Sequence, residues 1–130
     1  MNSVSDLLLV AIGGGAGALL RGGIDTLATR FGLAAPLATL SINLLGSFFA
    51  GLVAVLLIDR SLLPEAARPL LLIGLLGGFT TFSAFSLQTL RLVQDGDWAR
   101  VAGNVFLSVG LGLAAAPFPE DGLGARNRPA

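Results

Sequence analysis

Residues 77–86 read GGFTTFSAFS, and the fold turns on how a chain can carry them through an otherwise apolar segment. They sit in the middle of a run from 70 to 93 that is near the roughly 20 residues a helix needs to cross a bilayer core. Two adjacent glycines weaken a helix by about 1 kcal/mol each relative to alanine. The hydroxyls of Thr80, Thr81, Ser83 and Ser86 then compete for its backbone groups. The stretch therefore predicts a membrane helix broken at mid-depth. A break there frees carbonyls where no water reaches, which is tolerated only if protein or an ion satisfies them. Phe79, Phe82 and Phe85 recur every three residues, so two or three rings fall near one face. The ring edge carries the positive part of the aromatic quadrupole, against which a small hard anion can rest. The plainer alternative is that these rings pack or face lipid.

Outward from this segment lie three more apolar runs, at about 4–28, 37–58 and 98–116. Breaks bearing Arg30, Gly32 and Pro36, then Asp59, Arg60, Pro64, Glu65, Arg68 and Pro69, then Asp95, Gly96 and Asp97 separate them. Charged residues make up 12% of the 130 positions, against about 25% in a soluble domain, and the mean hydropathy is +0.83. No strand alternation competes, so the expected fold class is an all-α membrane protein of four transmembrane helices, the third broken mid-span. One four-helix transmembrane domain covers 1–117, and the polar tail 118–130 is expected to be disordered. The first run is read as a span and not a signal peptide, because no Arg or Lys precedes it and three further spans follow.

Eight basic and eight acidic residues cancel, so no charge field points to nucleic acid. The absence of Cys and His removes disulfides, thiol catalysis and histidine acid–base chemistry. No nucleophile–base pair argues for an enzyme. Fourteen glycines fall inside the spans, where small residues let backbones approach closely. The orientation signal is balanced. Arg60, Arg68, Arg126 and Arg128 lie on one side, and Arg30, Arg91 and Arg100 on the other with Arg21 nearest to it. The positive-inside rule then has nothing to decide on. Such a chain is expected to insert both ways and pair as an antiparallel, dual-topology homodimer, since four short spans leave little room for a pathway within one subunit.

Two further polar features sit at membrane depth, where such groups are costly and usually functional. Arg21 ends GGAGALLR (14–21) and is one helical turn from Asp25. It either pairs with Asp25, snorkels to the interface, or draws anions into an aqueous vestibule. In TLSINLLGSFFAG (39–51), Thr39, Asn43 and Ser47 form one narrow polar stripe at four-residue spacing. The Asn43 carboxamide offers two N–H donors, which suit either an anion or an interhelical hydrogen bond.

Taken together, GG-x-GA-xx-R, T-xxx-N-xx-GSF-xx-G and GGFTTFS-x-FS, in this order and spacing, resemble the bacterial fluoride channel family (the CrcB/Fluc-type fluoride exporters) over roughly 14–108. The resemblance implies an antiparallel homodimer in the bacterial inner membrane, with two narrow fluoride pores near the subunit interface. It implies that Phe82 and Phe85 line an aromatic box, that Asn43 adds a pore-lining amide, and that Arg21 lies at the vestibule. Thr81, Ser83 and Ser108 would form a hydroxyl track. A structural sodium ion would be held by main-chain carbonyls of Gly77 and Thr80 of each subunit. Three positions depart from the family pattern: Gly22 replaces an aromatic residue, Ala38 a glycine, and Asn104 a tyrosine. A small multidrug-type dual-topology transporter is the competing reading. It would require a glutamate within the first span, and the only glutamates here are Glu65 and Glu120, outside all four.

Overall fold

The computed structural model describes residues 3–116, with the side chains of 58 and 59 left aside; the tail 118–130, expected above to be disordered, lies outside the described residues. The described residues form four helical spans, each long and apolar enough to cross a membrane. Among the described residues there is no strand.

Helix α1 covers Val4–Arg30 and starts at Ser3, whose hydroxyl accepts from the Asp6 amide at 3.2 Å. The chain turns at Gly32, whose φ of +71° suits a residue without Cβ. Pro36 then sits in the first turn of α2, Ala35–Ala54. The same span winds on as a π-helical turn, Val55–Asp59. The third span opens as a π-helix, Arg68–Leu76, tightens into the single α-turn α3, Gly77–Phe79, and breaks. Thr80 and Thr81 are extended, with φ/ψ of −81°/156° and −148°/113°, before α4 resumes over Phe82–Gln94. The expected mid-span break therefore falls within GGFTTFS, two residues after the glycine pair. Gly96, at φ +71°, turns the chain into α5, Trp98–Ala115. Asp97 caps it by accepting from the Arg100 amide at 3.2 Å and pairing with Arg100 Nε at 3.3 Å.

Helix α1 lies against the first half of the third span, while α5 packs on α2 and α4. Glycines make the first seam. Gly13, Gly17 and Gly74 are buried, and a methyl group on Gly17 would press on the Leu75 carbonyl and one on Gly78 on the Gly14 main chain. Elsewhere the chain buries little. Ile42 is fully enclosed, whereas no residue of α4 or α5 is buried. In water such a surface would aggregate; in a bilayer it faces lipid or another subunit.

Candidate functional site

The break in the third span sits over a cavity of about 400 Å³. Its wall brings together Asn43 and Ser47 of α2, Gly77, Thr80 and Thr81 at the break, Phe82 and Phe85 of α4, and Ser108 of α5. The two rings are 5.6 Å apart between centroids, tilted by 42°. Phe79, the third member of the triplet, does not join them. It is buried on the other side, in an apolar hollow with Leu20, Leu45, Phe49 and Leu75.

The local hydrogen bonds explain how the chain sustains a break in an apolar medium. Asn43 reaches across from α2: its Oδ1 accepts from the Thr81 N–H at 2.9 Å, and its Nδ2 donates to the Thr81 carbonyl at 3.2 Å. Thr81 caps α4, its hydroxyl accepting from the Ala84 amide at 3.2 Å. Thr80 turns its hydroxyl back to the Leu76 carbonyl at 3.0 Å, and its methyl fills the space left by Gly46. Arg21 Nε donates to the Gly78 carbonyl at 3.3 Å. Of the readings left open for Arg21, pairing with Asp25 is therefore corrected: the guanidinium spends a donor on a carbonyl that the break has stranded, and among the described residues the one ion pair joins Arg100 to Asp97.

Two of the sequence candidates lie off the cavity wall. Ser83 is exposed and shares a hydrogen bond of 3.3 Å with the Thr81 hydroxyl. Arg21 is partly buried against Gly78. Sequence reasoning missed a second polar cluster beside the first. Gln88 donates to Thr39 at 2.8 Å, and Asn104 donates to Thr89 at 2.9 Å. Thr89 in turn donates to the Phe85 carbonyl at 2.7 Å, one turn behind the ring that lines the cavity. Spacing held part of the signal: Phe85, Gln88 and Thr89 lie three and four residues apart on one helix face.

The donor chemistry around Gly77 and Thr80 can be tested for a cation. In a continuous helix their carbonyls would accept from the amides of Thr81 and Ala84. Here those amides go to Asn43 Oδ1 and the Thr81 hydroxyl. Both carbonyls are thus stripped of their helical partners, and neutral oxygens suit a hard monovalent ion. Among the described residues no cluster of three or more carboxylate, His or Cys side chains offers a transition-metal site.

A four-span membrane chain with a broken third helix, whose break opens on a cavity of amide, hydroxyl and aromatic groups, belongs to the class of small-ion channels. The chain matches the model of the CrcB-like protein, Camphor Resistance (CrcB) family over residues 8–118, and it is a member of that family. A protein of Magnetococcus marinus named fluoride-specific ion channel FluC is 48% identical over 108 residues, covering 82% of this chain and 88% of the relative. Proteins of the same name from Paracoccus denitrificans and Opitutus terrae are 47% and 45% identical, each over 83% of this chain and over 86% and 84% of their own length.

Proposed function

We propose that the chain forms a fluoride-selective channel that lets cytoplasmic fluoride leave down its electrochemical gradient and so confers fluoride resistance. One observation carries this reading: the Asn43 carboxamide, the Ser108 hydroxyl and the rings of Phe82 and Phe85 meet around one cavity at the break. That set offers N–H and O–H donors and ring edges to an anion with no charged side chain among them to trap it. Family membership gives the ion, since the relatives are named for fluoride. Hydrogen fluoride is a weak acid that enters cells neutral and ionises inside, so an inside-negative potential drives the anion out. Passage needs no catalytic group.

The channel is a homodimer of antiparallel copies in the bacterial inner membrane. Phe82, though it lines the cavity, is 78% exposed, so one subunit leaves the aromatic wall open and a second copy closes it. The balanced arginines favour opposite insertion of the two. The free carbonyls of Gly77 and Thr80, together with those of the second copy, hold a structural sodium ion. That ion supplies positive charge at membrane depth and fixes the break. It would show as a rise in thermal unfolding temperature in sodium over N-methylglucamine at equal ionic strength. The multidrug-type reading is disfavoured by both glutamates lying outside the spans.

The test of the reading is fluoride efflux from liposomes holding the purified chain, with chloride as control. Fluoride leaves and chloride is retained. Efflux no faster than from empty vesicles would end the proposal.

A further inference from the structure

The two hydrogen bonds between Asn43 and Thr81 close a ring of the kind that neighbouring strands make, here between a side chain and one extended residue. Only one orientation of the carboxamide makes both. Flipped, an NH₂ would face the Thr81 N–H and an oxygen would face its carbonyl. The ring also removes from the helix the very amide that would otherwise close on the Gly77 carbonyl. Among the described residues Nδ2 makes no other hydrogen bond, and Asn43 lines the cavity.

We propose that Asn43 is the positioning residue of the break: it clasps both main-chain groups of Thr81, keeps the third span open with the Gly77 carbonyl bare, and is itself fixed with its acceptor oxygen engaged and one Nδ2–H left for the cavity. The break and the charge preference of the pore then have one origin. A free carboxamide presents a donor or an acceptor with equal ease and would suit either sign of ion. A clasped one holds its remaining N–H and its remaining oxygen lone pair in fixed directions, and it is the N–H that this arrangement turns to the cavity. The ion preference rests on the fluoride reading above; the clasp stands on the hydrogen bonds alone.

Hydrogen exchange and side-chain NMR of the ¹⁵N-labelled full chain in detergent test the two parts separately. The Thr81 amide exchanges slowly in the native chain and about tenfold or more faster in Asn43→Ala, the effect of losing its acceptor. In Asn43→Asp, which retains an acceptor for that amide, protection persists. The native chain alone gives a second readout should Asn43→Ala fail to fold. Of the two Asn43 Nδ2 protons, one exchanges slowly and is unmoved by ions, while the other shifts saturably with sodium fluoride and not with sodium chloride. Equal Thr81 exchange in native and Asn43→Ala proteins, or two Nδ2 protons that exchange alike, overturns the clasp. A protected Thr81 amide and one slow Nδ2 proton, with neither proton moved by fluoride, upholds the clasp and overturns the fluoride reading.

Discussion

The two faces of the third span show opposite uses of small residues. Toward α1 the span is sealed: the main chains of Gly13, Gly17, Gly74 and Gly78 come so close that no side chain fits between them. Toward α2 and α5 it is open. There, Gly46 does not close a seam but receives the Thr80 methyl, and a cavity of about 400 Å³ remains beyond it. Glycine on the sealed face replaces the hydrophobic force that lipid cannot supply. On the open face it lets the chain leave the helix without a clash. Closeness on one side braces the span so that the other side can be broken.

Substitutions that separate the faces follow in order of size. Gly17→Val or Gly78→Val drives a branched side chain into a neighbouring main chain that cannot yield, at a cost of about 3 kcal/mol or more. Little monodisperse protein should survive size exclusion in detergent; normal yield would mean the seam is not sealed. Gly46→Ala meets side chains and no backbone: the Thr80 methyl, on a side chain held by its bond to the Leu76 carbonyl, with the Phe79 ring just beyond. It should cost about 1–2 kcal/mol, seen as a lowered unfolding temperature in a protein that still purifies. Arg21→Leu strands the Gly78 carbonyl and should cost about 1 kcal/mol, read by the same melt. Gly15→Ala, with nothing within 4 Å of the added methyl, should be neutral or stabilising by up to about 1 kcal/mol. If Gly15→Ala and Gly17→Val behaved alike, the distinction between the faces would collapse.

The spans were legible because charged and Pro-bearing stretches interrupt apolar runs, and the break because paired glycines and hydroxyls oppose a helix locally. What spacing could not supply was the neighbour. Arg21 and Asp25 are four apart and share a face, yet Arg21 turns to Gly78, 57 residues away, because a stranded carbonyl lies within its reach. Phe79 has the same spacing as Phe82 and Phe85, but the two extended residues between them rotate α4 relative to α3, so Phe79 ends on the other side. Ser83 belongs to the same motif as Thr81 and still points off the cavity. The partners of Gln88 and Asn104 depend on how α4 packs on α2 and α5, which a single-helix pattern does not contain.

The most direct test sets one ring from each face against the other. Phe82 lines the polar cavity and Phe49 the apolar hollow. Fluoride efflux from liposomes, followed with a fluoride electrode, should fall about tenfold or more in Phe82→Ile, on the order of 1.4 kcal/mol of barrier, and stay near the native rate in Phe49→Ile. Native efflux in Phe82→Ile, with the loss appearing in Phe49→Ile, would place the ion on the wrong side of the third span and contradict the account.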